Sequence, residues 1–230
     1  VNMLTDEQKQ EIAGAVAAAE TRTSGELYCV IAEQSSDYRE TPLAWAAGAA
    51  LLGPALLLLL GVEVTAPPMV TGWTAAQVGA AAGTAARAAL IGAMILQALL
   101  FVLVGLAVAW RPVRLALTLP GLKRERVRQR AQELFLAKGI HLTAGRTGVL
   151  IYVSRAERRV ELVADEAIDT KVDQSTWDRA VAALVYGLKI GRPAEGLIAT
   201  VNLCGDVLAQ HFPPTPDNPN ELPDAVVELP

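Results

Sequence analysis

The sequence predicts an α/β protein: a small mixed sheet covered by helices and interrupted by an inserted two-helix transmembrane hairpin. Three observations predict it. Of 230 residues, 52% are hydrophobic and 19% charged, yet the seventy residues from Thr41 to Trp110 carry only Glu63 and Arg87 as charges. The other 160 residues hold the remaining 42 charged side chains, about the quarter usual for a soluble domain. Those flanks read in the order helix, strand, apolar block, helix, strand, strand, helix, helix. The lone strand before the block has no partner on its own side, so the two flanks must complete one sheet. The organisation expected is a discontinuous domain of residues 1–40 plus 111–230, with the hairpin at 41–110.

The first flank opens with a helix. Thr5 is a good N-cap and Gln8 follows at capping-box spacing, while Ile12, Val16 and Ala19 fall on one face as far as Glu20. Thr23-Ser24-Gly25 ends that element, and Glu26 to Ala32 is a short apolar run of β-formers bounded by turn residues, a buried strand. The apolar block then supplies two spans, 43–62 and 88–110, joined by a loop at 63–87. Each is long enough to cross a hydrocarbon core of about 30 Å at ~1.5 Å per helical residue. Trp45, Trp73 and Trp110 lie at or near span ends, where interfacial indoles belong. Pro54 is expected to kink the first span. Gly79 and Gly83 have the small-xxx-small spacing that lets helices approach, within an Ala-rich stretch that also reads as an early helix start near Thr74.

After the block, Arg111, Arg114, Lys123, Arg124, Arg126, Arg128 and Arg130 crowd one side, and Arg39 precedes the first span, while the loop holds Arg87 alone. The positive-inside rule therefore predicts two spans with both termini cytoplasmic. The polar opening residues predict no cleaved signal. Lys123 to Lys138 reads as a helix with Gly139 as its stop. Thr147 to Val153 and Arg158 to Ala164, parted by a short turn, read as a hairpin. Gln174 to Ile190 and Ala194 to His211 read as a helix pair. The first two strands are expected to be parallel neighbours and the third antiparallel. Cys29 and Cys204, both in apolar surroundings, are expected to be reduced and buried.

The composition excludes disorder, collagen and a disulfide scaffold, and the net charge of −4 argues against nucleic acid as a partner. The densest acidic cluster is Asp165, Glu166 and Asp169, with Asp173 beyond. Hard cations such as Ca²⁺ or Mg²⁺ take oxygen ligands of this kind, so these residues are the candidate metal ligands. The same carboxylates also suit the helix start near Gln174. Arg155, Arg158 and Arg159, close in sequence, could supply positive charge for a phosphoryl group. No P-loop, no Gly-rich nucleotide fingerprint and no Ser-His-Asp set is legible, and His141 and His211 stand apart from each other.

Thr23-Ser24-Gly25-Glu26, Arg146 to Ser154, Glu157 to Asp165, Trp177, Phe212-Pro213 and the closing Asn220-Glu221-Leu222-Pro223-Asp224 together resemble the TPM domain family. They resemble in particular a branch of predicted bacterial membrane proteins. The resemblance implies a three-layer α-β-α sandwich. It also implies a link to acid phosphatase activity, to divalent cation binding, or to maintenance of large membrane complexes such as photosystem II. One departure is visible: Val163 to Ile168 has no glycine where many members have a glycine-rich turn. The expectation is an inner-membrane protein, in contact with the lipid bilayer. Its cytoplasmic TPM-like domain is read as a non-catalytic accessory or binding module for a membrane protein complex. The alternative is a divalent-cation-dependent phosphatase.

Overall fold

The computed structural model describes residues 4–61, 75–215 and 219–230. The chain divides into two compact units, one of residues 1–37 with 119–230 and one of residues 38–118.

In the first unit, α1 (Asp6–Glu20) starts as expected: Thr5 and Gln8 form a reciprocal capping box. The sheet has the order β3-β2-β1-β4. Strand β1 (Glu26–Ala32) runs parallel to β2 (Gly148–Ser154) in a register from Glu26 opposite Gly148 to Ala32 opposite Ser154. Strand β3 (Arg159–Ala164) returns antiparallel to β2. These three strands and their directions match the sequence reading. Sequence reasoning missed β4 (Val227–Leu229), which adds to the free edge of β1, parallel to Val30–Ala32. Only three residues of an acidic tail form it, too few to show a period.

Strands β1 and β2 are buried along their whole length, as strands covered on both faces must be. Side chains alternate across the sheet. Leu27, Cys29, Ile31, Val149, Ile151 and Val153 join one core with α1, α7 (Gln174–Lys189) and α8 (Pro193–His211). Tyr28, Val30, Leu150 and Tyr152 join a second core with α5 (Pro120–Ala137). The expected α-β-α layering is therefore present. Two short elements are additional: a 3₁₀ turn at Ile140–Leu142, entered through Gly139 at φ 70°, and α6 (Glu166–Asp169). Cys29 and Cys204 are free and buried in the first core. Burial pushes the Cys29 thiol up to about 12, so it stays a protonated packing residue.

The second unit contains α2 (Glu40–Leu59), α3 (Ala75–Ala109) and α4 (Arg111–Leu117). A Cβ on Gly53 would meet the Leu100 side chain, and one on Gly105 would touch Ala46. These pairings run in opposite directions, so α2 and α3 lie antiparallel. Gly83, by contrast, has open space around it. Residues 62–74, which hold the end of the expected first span, Trp73 and the start of the expected loop, lie outside the described residues, and the surroundings of Gly79 are not described. Trp45 donates to the Leu117 carbonyl at 3.2 Å, and Thr41 and Thr118 share a hydroxyl hydrogen bond of 3.0 Å. Arg111–Leu117, expected to fall in the sheet-bearing domain, is thus α4 of this helical unit. Among the described residues one helical segment, Leu90–Ala109, is long and apolar enough to cross a membrane, and 6% of it is buried. A second span is not established in this way.

Helices α7 and α8 meet where both lack a side chain. A Cβ on Gly187 would lie 2.6 Å from the Gly196 Cα and 2.9 Å from the Arg192 carbonyl oxygen. Both obstacles are backbone and cannot rotate away. Just beyond, Thr200 donates to the carbonyls of Ala180 and Gly196, at 3.1 and 2.8 Å. Gly187→Ala should therefore force the helices apart and cost about 1–3 kcal/mol. Thermal unfolding in mild detergent should show a Tm lower by roughly 2–12 °C. An unchanged Tm would show that the contact is not tight.

Candidate functional site

The two ends of the sheet carry different chemistry. At the end where β1 and β2 finish, the segment after β1 is tied to the β2–β3 turn by a chain of hydroxyls. The Tyr152 hydroxyl lies 2.9 Å from Ser35 Oγ, and Ser35 Oγ donates to Ser154 Oγ at 2.8 Å. Ser154 Oγ in turn donates to the Glu157 carboxylate, which also accepts from the Ser35 amide at 3.1 Å. Tyr152, Ser154 and Glu157 are buried. The donors can all point one way, from the phenol to the carboxylate, so every member is satisfied. Burial raises the Tyr152 pKa, opposed by the Ser35 hydrogen bond and reinforced by the Glu157 charge. The phenol stays protonated and remains the donor at the head of the chain.

Beside this network, on the α7/α8 face, lies a cavity of about 710 Å³. Its buried lining is apolar: Leu4, Ile31, Val153 and Leu197. Its exposed lining includes Arg155, Arg158 and Lys189. Arg155 is paired with Glu33 at 3.1 Å. Among the described residues, Arg158 and Lys189 make no ion pair. Arg158 closes the hairpin turn at φ 52°, a left-handed backbone that costs a non-glycine residue roughly 1–2 kcal/mol. The first turn of α8, beginning at Pro193, borders the same space and adds partial positive charge.

The sequence-predicted metal ligands sit at the other end of the sheet and are not drawn together. Asp165 caps α6: one oxygen accepts from the Glu166 amide at 2.7 Å, and the other is buried without a donor. Glu166 is exposed and faces Arg146 at 3.7 Å, and Asp169 is exposed on the following turn. Among the described residues no group of three or more His, Cys, Asp or Glu side chains is placed to hold a metal ion. Capping consumes one carboxylate, and the helical turn spreads the others. The arginines are also remote from these acids. Ser154 pairs with Arg159 and Val149 with Ala164, so β3 separates Arg159 from Asp165 by about 20 Å at ~3.3 Å per residue.

A different acidic group, missed by sequence reasoning, does converge. Glu20 at the end of α1 and Glu26 at the start of β1 are 7% and 1% exposed. Glu20 accepts from the Leu27 amide at 2.8 Å, and Glu26 from the Leu222 amide at 3.2 Å. Oε2 of Glu20 and Oε1 of Glu26 have no donor, and the polar neighbour of Glu20 is the Asp224 carboxyl. Two carboxylates in contact favour sharing one proton. The signal was present only as two separate motifs, at residues 23–26 and 220–224, which lie about two hundred positions apart.

The family model described as the TPM domain matches residues 115–207, which take in α5, β2, β3, α6, α7 and most of α8. The matched segment is similar to the TPM domain, and the first flank, with β1, completes the sheet from outside it. Among solved structures, the NMR structure of BA42 protein from the psychrophilic bacterium Bizionia argentinensis is similar in fold. The two share a TM-score of 0.55 and 18% identity, over 99% of this chain and 96% of that one. No curated protein matches the sequence.

Burial raises the Glu20 pKa to about 8, opposed by the Leu27 amide and reinforced by Glu26 and Asp224. Glu26 is raised by burial as well, against the amides of Leu222 and Glu221, and Glu161 by burial against nearby arginines. All three act with the same sign. The folded state holds a proton that the unfolded chain releases near pH 4.5, so the stabilisation is full below that value and declines as pH rises, that of Glu20 being lost through about 8. The Tm should fall between about pH 5 and about pH 8.5. Glu20→Gln keeps the acceptor for Leu27 and offers Asp224 a donor, so it should flatten that slope and raise the Tm at the alkaline end. An identical slope in the variant would contradict the assignment.

Proposed function

We propose that this protein is a membrane-anchored binding module. The helical unit holds the TPM domain at the cytoplasmic surface of the inner membrane, where the domain serves a membrane protein complex as a non-catalytic accessory. The observation that carries the reading is the outer surface of α2 and α3. Leu51, Leu52, Leu59, Leu90, Met94, Leu103 and Leu106 are each more than half exposed, on helices with almost no charge to face water. Such a surface suits acyl chains. The Arg and Lys content of α4 and α5 supports the cytoplasmic orientation and would be favoured beside anionic lipid.

A divalent-cation-dependent phosphatase is the alternative. It needs carboxylates and cations around one phosphoryl group. Asp165, Glu166 and Asp169 stand at the opposite end of the β2–β3 hairpin from Arg155, Arg158 and Arg159, so the geometry favours binding over this chemistry. Ca²⁺ or Mg²⁺ at the Asp165 end belongs to that alternative.

Native cysteines cannot report the topology, because both are buried. Single cysteines at exposed positions can. Gly83→Cys should react with a membrane-impermeant maleimide in intact cells, and Glu125→Cys only after permeabilisation. The protein should stay in the pellet on alkaline carbonate extraction. Labelling of Glu125→Cys in intact cells would reverse the orientation, and release by carbonate would remove the anchor.

A further inference from the structure

The cavity beside the β2–β3 turn has a polarity that narrows what it accepts. Its floor is made of Leu4, Ile31, Val153 and Leu197, all buried, with Val185 and Leu188 extending it. Its rim presents Arg158 and Lys189 without ion-pair partners among the described residues, and Arg155 already engaged by Glu33. Among the described residues no acidic side chain lines it; the Glu195 carboxylate in the first turn of α8 is held by Arg192 at 3.3 Å. A volume of about 710 Å³ lies within the roughly 300–1,000 Å³ typical of small-ligand sites. Water filling the space would leave the apolar floor wet, and a small inorganic anion would use the rim but not the floor. An occupant that satisfies both has an apolar body and one anionic head.

We propose that this cavity binds a single-chain anionic amphiphile, with its acyl chain on the apolar floor and its carboxylate or phosphate head on Arg158 and Lys189. The proposal deepens the reading of the protein as a membrane-anchored binding module. The anchor would keep the cavity near a source of such molecules, and the domain would register their presence. The head-group residues come from separate elements, Arg158 from the β2–β3 turn and Lys189 from the last turn of α7. Occupancy would therefore tie the hairpin to the α7/α8 pair.

The test uses the full-length protein in nanodiscs of zwitterionic phosphatidylcholine. The probe is a long-chain fatty acid carrying a photoreactive diazirine on its chain, and the crosslinked peptides are mapped by mass spectrometry. Crosslinks are expected at residues 153–158 and 185–197, besides those on α2 and α3 that report partition into the bilayer. The double charge reversal R158E/K189E lies on exposed residues and should leave the fold intact. It should lower cavity labelling about tenfold or more relative to α2 and α3. The corresponding fatty alcohol should label α2 and α3 but not the cavity. Lysophosphatidic acid should compete with the probe and inorganic phosphate should not.

Three results would overturn the proposal: a cavity without crosslinks, cavity labelling indifferent to the charge reversal, or full competition by inorganic phosphate. The anchoring reading fails on a different result, the absence of label on α2 and α3, and the cavity labelling is read whichever way that control falls.

Discussion

Seven consecutive residue pairs between β1 and β2, from Glu26 opposite Gly148 to Ala32 opposite Ser154, hold two distant parts of the chain in one sheet. Residues 38–118 intervene as a separate helical unit. Strand β1 has no other long partner, since β4 covers only three of its residues. Without the pairing, Leu27, Cys29 and Ile31 would leave the first core, and Tyr28 and Val30 the second. Buried parallel strands also leave no backbone group free to pair elsewhere.

The same pairing sets out the chemistry. It brings Ser35 to Ser154 and Glu157 where the strands end, and it brings Glu26 to the closing tail where they begin. One end becomes a hydroxyl network beside an apolar cavity with a cationic rim. The other becomes a cluster of buried carboxyls that needs a shared proton. The tail ties both ends: Leu222 to Glu26 and Glu221 to the Ala144 amide at the second, and Glu228, beside Ile31, to Lys9 and the Leu4 amide toward the first. Protonation at Glu20 and seating of the tail are thus parts of one packing problem.

Most of the sheet-bearing unit was legible because its elements obey local rules. Thr5 and Gln8 announce α1, Gly139 stops α5, and the uninterrupted apolar runs at 26–32 and 148–154 read as strands buried on both faces. What was not legible depends on distance. Glu20, Glu26 and Asp224 meet only because the tail returns to β1. Lys189 joins Arg158 only because α7 ends over the hairpin turn. The acidic run at 165–169 is the opposite case. Closeness in sequence suggested a cluster, but Asp165 is spent on capping α6 and the intervening strand carries the arginines to the far end of the sheet. In the helical unit, composition spoke clearly for apolar length, while the glycines that make the helix contact, Gly53 and Gly105, are not those whose spacing stood out.

The central claim is that the two flanks form one cooperative unit through β1 and β2. Amide hydrogen exchange on the full-length protein in a bilayer mimetic measures this directly. If the claim holds, the amides of Leu27–Ile31 and Val149–Val153 exchange at one slow rate and lose protection together as denaturant is added. Exchange in β1 orders of magnitude faster than in β2 would mean that the first flank is only loosely associated, and would contradict it.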